Sequence, residues 1–87
     1  MEEKLIEEIR YEFQISPFFA DENLLNYLNE GKARLDMLNP GRDPDTDKVF
    51  RSLLKNYVYY AYDHRVDDWE RNYRELILSW QWGSEVL

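Results

Sequence analysis

The sequence predicts an all-α protein: a small single-domain bundle of three to four helices with a long aromatic-rich C-terminal helical stretch. Three observations predict it. Apolar residues recur at steps of three and four in every segment, the spacing of one helix face. Residues 47–82 contain neither proline nor glycine. The same stretch holds all three tryptophans (Trp69, Trp80, Trp82) and five of the seven tyrosines, so the rest of the chain is expected to pack against it.

The first helix is expected over residues 2–13, with Leu5, Ile6, Ile9 and Phe13 on one face and Glu2 and Glu3 in the first turn, where they suit the positive end of the helix dipole. It must stop before Pro17, because the residue preceding a proline is biased out of the α region. Ser16-Pro17 is then a turn, and Phe18 and Phe19 either plug the core or contact another chain. Asp21 is the expected N-cap of a second helix. Leu24, Leu28, Leu35 and Leu38 share a stripe with Gly31, and a glycine there lets another helix approach closely. Asn39-Pro40-Gly41 ends this helix.

Asp43-Pro44-Asp45-Thr46-Asp47 has acids at alternate positions, as a calcium loop does. The required glycine would fall at Lys48 and the closing glutamate at Leu54, so the match fails. The segment reads instead as a loop entering a helix, with Asp45 or Thr46 capping and Asp47 in the first turn. The third helix is expected over residues 47–64, with Phe50, Leu54, Tyr57 and Ala61 in one register. A second register runs through Val58, Tyr62, Val66, Trp69, Tyr73, Leu76 and Trp80. A break near His64, with Asp67 or Asp68 capping a fourth helix to about Gln81, and a straight continuation both fit. Residues 1–82 thus form the helical domain, and 83–87 a short tail.

Eighteen acids against eleven bases give a charge of −7. A basic stripe, the footprint of a nucleic-acid binder, is absent, because Lys and Arg are spread singly. The balance suits protein partners or plain solubility. Without cysteine there is no disulfide framework and no thiolate chemistry. The charged start excludes a signal peptide, no stretch is apolar enough to span a membrane, and a reducing cytoplasm is the expected place of synthesis.

His64 with Asp67 and Asp68 is the only constellation resembling a catalytic or metal cluster, and it reads as solvated ion pairing. No nucleophile–base pair and no phosphate loop stand out, so an enzyme, a metal and a cofactor are not expected. The aromatics say more. Trp80 and Trp82 lie about 200° apart on a helix, so one of them should point away from the core. An exposed tryptophan is a typical partner contact; the alternative is that Trp82 lies beyond the helix and folds back onto the core. Phe18, Phe19, Trp80, Trp82, Val86 and Leu87 are the candidate partner interface, and Asp63, Asp67, Asp68 and Glu70 a candidate exposed acidic face.

Leu53-Leu54-Lys55-Asn56-Tyr57-Val58-Tyr59-Tyr60-Ala61-Tyr62, followed by Trp69-Glu70-Arg71-Asn72-Tyr73 and Leu76-Ile77-Leu78, resembles the head–tail connector (adaptor, or head-completion) family of tailed bacteriophages and prophages. Asp21-Glu22-Asn23-Leu24-Leu25, opening a helix with Gly31-Lys32 inside it, resembles that family's N-terminal half. The chain departs in having Trp69 where phenylalanine is commoner, and Asp63-His64-Arg65 where small polar residues are usual. The resemblance implies a structural virion protein that joins the portal vertex of a DNA-filled head to the stopper or tail. It implies a homo-oligomeric ring, a dodecamer, that extends the DNA channel and binds the portal protein and the stopper or tail-completion protein. The free protein would be a monomer, made in the host cytoplasm and ending at the head–tail interface of the virion. DNA would pass without specific binding, and the acidic balance suits that. Two other classes remain open. One is a small acidic helical module, of anti-repressor or DNA-mimic type, that acts on a host regulator. The other is a helix-turn-helix DNA binder, for which the second helix has too few bases.

Overall fold

The computed structural model describes residues 2–86, and the side chains of residues 2–83. It contains four helices, α1 (Glu2–Phe13), α2 (Asp21–Leu38), α3 (Lys48–Tyr62) and α4 (Val66–Val86). Residues 2–86 contain no strand. α3 is the centre, since α1, α2 and α4 all pack on it. Glu8 reaches Arg51 and Lys55 while Phe13 stacks on Tyr59, so α1 runs parallel to α3. Phe19, just before α2, meets Tyr62, and Glu30 meets Tyr57, so α2 runs antiparallel to α3. Tyr73 meets Tyr60 and Trp80 meets Phe50, so α4 is antiparallel as well.

α1 has the expected bounds, and Leu5, Ile6 and Ile9 are buried. Its acidic flank is held against α3: Lys55 Nζ lies 2.7 Å from Glu12, and Arg51 pairs with Glu8. Gln14 ends the helix with φ of 54°. That left-handed step turns Ile15 inward to a fully packed position, one the helical spacing did not mark.

α2 begins after Ala20, which offers no side-chain cap; Asp21 lies in the first turn, and Arg10 occupies its carboxylate. The expected Asp21 cap is therefore displaced by an ion pair across the α1–α2 turn. Leu24, Leu28, Gly31 and Leu35 are buried as one stripe, whereas Leu38, at the last position, is partly exposed. Gly31 sits where α2 crosses α3, and a Cβ there would lie 2.6 Å from Tyr57 Cδ1.

α3 starts one residue later than expected, because Asp47 itself is the cap. Its Oδ1 accepts from the backbone N–H of Val49 (3.0 Å) and of Phe50 (3.1 Å). Asp45 and Thr46, the expected caps, belong to the turn before it: Asp45 N donates to Asp43 Oδ1, and Thr46 Oγ1 contacts the Asp43 carbonyl. Between α3 and α4 the helix is interrupted. His64 takes φ of 59°, and Arg65 N donates back to the Tyr60 carbonyl at 2.7 Å. The Arg65 carbonyl accepts the first α4 bonds, from Asp68 and Trp69 N–H, so Asp67 and Asp68 stand in the first turn and do not cap.

The break resets the helical phase. Ile77, not Leu76, faces the core beside Trp69 and Trp80, and Leu76 is partly exposed. α4 continues past Gln81 to Val86, so residues 83–86 of the expected short tail extend the helix, and Leu87 lies outside the described residues.

Candidate partner-binding surfaces

The two phenylalanines of the α1–α2 turn separate. The turn is held by Ser16, whose Oγ accepts from Phe18 N and whose carbonyl accepts from Phe19 N. Arg10 fastens it from the last turn of α1, donating to the carbonyls of Ser16 and Phe19 and to Asp21. Phe19 then turns inward, edge-on to Tyr62 at 4.8 Å, and Phe18 projects at the tip with 96% of its surface exposed. One of the pair is a core plug and the other is free for a contact. Arg10 carried no signal in the sequence, since an arginine in the last turn of a helix is commonplace.

The tryptophans separate as the 200° argument requires. Trp80 is buried edge-on against Phe50 at 5.4 Å, and its Nε1 donates to Asp47 Oδ2 at 2.8 Å. It is a core and capping residue, not the partner contact expected for it. Trp82 remains 67% exposed on the outer side of α4. Leu78, one turn earlier, is also exposed. Leu87 and the side chain of Val86 lie outside the described residues.

Asp63, Asp67, Asp68 and Glu70 do not form a uniformly negative face. Asp68 lies between Arg65 (3.0 Å) and Arg71, and Glu70 pairs with Arg34 across the α2–α4 boundary. Hydrogen bonds from Arg65 and Arg71 hold the Asp68 carboxyl below the ordinary Asp value. Arg65 also lies over the Tyr60 ring at 5.2 Å. Asp63 approaches Arg65 at 4.0 Å, and Asp67 is exposed. The acids that stand without an ion pair among the described residues include Glu2, Glu3, Glu7 and Glu22, which border a groove between α1 and α2 floored by Ile6 and Leu25.

On the other side a groove of about 410 Å³ runs between α2 and α4. Met37, Leu38, Ile77 and Leu78 line it, and Arg34, Glu70 and Arg74 stand on its rim. Met37 is 83% exposed. Among the described residues Arg74 has no ion-pair partner.

His64, Asp67 and Asp68 do not gather as a metal-binding group, and no group of three or more metal-ligating side chains gathers among the described residues. No described helix is long and apolar enough to cross a membrane.

Besides Asp68, two carboxylates give the fold an acid sensitivity. Burial raises the Asp47 pKa, but hydrogen bonds from Trp80, Phe50 N and Val49 N, and the Arg42 charge, outweigh it and bring it below 3.8. Burial likewise raises Glu8, and Arg51 and Lys55 bring it below its ordinary 4.5. A carboxylate whose folded pKa is depressed contributes stability above its unfolded pKa and loses it as pH falls through the folded value. The melting temperature is therefore expected to fall as pH drops below 4.5, then further below 3.8. Asp47→Asn should flatten the lower part of that profile; an unchanged profile would contradict the role given to Asp47.

Compared with known proteins, this chain matches no protein-family model, no curated protein and no solved structure.

Proposed function

We propose that this protein is a structural adaptor of a tailed phage or prophage, joining the portal vertex of the DNA-filled head to the stopper or tail. In this reading copies form a ring below the portal that extends the DNA channel, and DNA slides through without specific binding. The protein works at the head–tail interface of the virion and is made in the host cytoplasm. The resemblance of the Leu53–Tyr62 and Trp69–Leu78 segments motivates the reading, and exposed Trp82 is the observation that carries it. The buried core already takes up Trp69, Trp80, Tyr57 and Phe50. A further tryptophan turned to solvent beside exposed Leu78 is surface suited to a partner, since tryptophan anchors interfaces. No catalytic arrangement is invoked.

The unpaired acids along α1 and α2 favour a second reading, an acidic helical module that covers a basic surface of a host regulator. One variant tests the first. Trp82→Ala removes no core contact, so its stability should stay within about 0.5 kcal/mol of wild type. Binding to purified portal protein, followed by co-sedimentation, is expected to be lost. Full portal binding by the variant would remove Trp82 from the interface.

A further inference from the structure

Negative charge gathers around one apolar groove of this molecule. α1 runs parallel to α3 and α2 antiparallel to it, so α1 and α2 lie antiparallel to each other, with the groove between them. Ile6 and Leu25 form its floor. Glu2, Glu3, Glu7 and Glu22 stand exposed on its rim, and none has an ion pair among the described residues. Elsewhere several acids are met by bases of the chain: Glu8 by Arg51 and Lys55, Glu12 by Lys55, Glu70 by Arg34, and Asp68 by Arg65 and Arg71. Into this groove the chain sends one base, Arg10, which lays its guanidinium on Asp21 at the turn end, Nε 2.9 Å from Oδ1. The groove thus already holds one cation, and four further acids are left without one.

The rim sets the sign of what binds. Four acids repel phosphate, so neither a nucleic acid nor an anionic lipid surface suits the groove. A metal ion does not suit it either, since no three carboxylates among the described residues are placed to hold one. The floor sets the rest: a purely basic segment would leave Ile6 and Leu25 uncovered, so the partner brings apolar side chains with its bases. From Glu2 to Arg10 the α1 wall rises about 12 Å, a little over two turns, and a groove between two helices receives a third by its apolar face. We propose that this groove seats a basic amphipathic helix of a partner protein, its apolar side chains on Ile6 and Leu25 and its Lys or Arg against Glu2, Glu3, Glu7 and Glu22. This refines the acidic-module reading, on which its use against a host regulator rests. The seat shares no residue with the Trp82 surface and is tested apart from the adaptor contact.

The probe is a labelled synthetic helical peptide with leucines on one face and lysines on the other, titrated with the full-length protein by fluorescence anisotropy. One control peptide has the same composition scrambled, so that no apolar face forms; another carries glutamate in place of lysine. The amphipathic peptide is expected to bind, more weakly as salt rises, and severalfold tighter than the scrambled one, and the acidic peptide is not expected to bind. Glu7→Lys with Glu22→Lys should weaken binding by about tenfold or more. Asp67→Lys with Glu75→Lys makes the same change in net charge at exposed acids away from the groove, and should leave binding within about twofold of wild type. Leu25→Ala should weaken the amphipathic peptide and not the scrambled one. Melting curves check that each variant is folded, and the milder Glu7→Gln with Glu22→Gln serves if the reversed pair is not. Equal loss in the two charge-reversed variants, equal binding of the scrambled peptide, or no binding by wild type overturns the proposal. Portal binding is scored in parallel. A protein that binds both peptide and portal keeps the seat and removes the module reading, whereas portal binding without peptide binding removes the seat and keeps the adaptor.

Discussion

Trp69→Ala is expected to destabilise the fold by about 3–5 kcal/mol, the range for truncating a large buried aromatic. Trp69 is only 2% exposed, and its ring stands edge-on to Tyr57 at 4.9 Å. Its Nε1 donates to the Leu53 carbonyl at 3.2 Å, tying α4 to α3 just after the break at His64. Alanine would lose the transfer energy, leave a cavity at the α3–α4 seam and remove that tie. For a domain of this size a loss of about 1 kcal/mol lowers the melting temperature by roughly 4–8 °C, so the variant should melt roughly 12–40 °C below wild type. Trp69→Phe gives the contrast. It keeps most of the ring packing and loses a hydrogen bond worth about 0.5–1.5 kcal/mol, so it should remain folded. Equal melting of the alanine variant and wild type, measured by circular dichroism, would show that α4 is not anchored there.

Gly31→Leu is expected to cost about 3 kcal/mol, at the upper end of the overpacking range. The reason is the closeness of α2 and α3 at this point. A Cβ would meet Tyr57 Cδ1 at 2.6 Å, Tyr57 Cγ at 2.9 Å and Leu54 Cδ1 at 3.1 Å. The Tyr57 ring has little room to yield. It is fully buried, its hydroxyl donates to Glu30, Trp69 packs against it, and Arg34 lies over it at 5.7 Å. Alanine at position 31 would gain about 1 kcal/mol of helix propensity over glycine, and the clash is expected to outweigh it. Gly31→Ala should thus melt below wild type and above Gly31→Leu. Melting of either variant at or above the wild-type temperature would mean that the crossing tolerates a side chain.

The helices were legible because each buries one stripe. Leu24, Leu28, Gly31 and Leu35 follow the three-four spacing without interruption, and so the close approach at Gly31 is legible in the sequence. Capping was less legible. Residues 43–47 offer several groups able to cap, and the choice of Asp47 depends on Trp80, thirty-three positions away, donating to its second oxygen. The register of α4 was misread at Leu76 and Ile77 because spacing alone does not record a left-handed residue at His64. Among the surface candidates, two tryptophans two residues apart had to diverge, but which one is buried depended on the α3 partner, Phe50. The acidic face was misjudged for the same reason: Arg34 reaches Glu70 from another helix, and no local pattern announces it. Exposed Phe18 follows from the Arg10 staple, which is likewise non-local.

The central claim, that this is a head–tail adaptor, is tested most directly on DNA-filled heads that lack it. Purified full-length protein is added, and the particles are then supplied with the stopper or tail and imaged by electron microscopy. The account predicts a ring of this protein below the portal and the appearance of tailed particles, with neither formed when the protein is omitted. Heads that stay bare and tailless, with the protein bound instead to a basic host regulator, would contradict it.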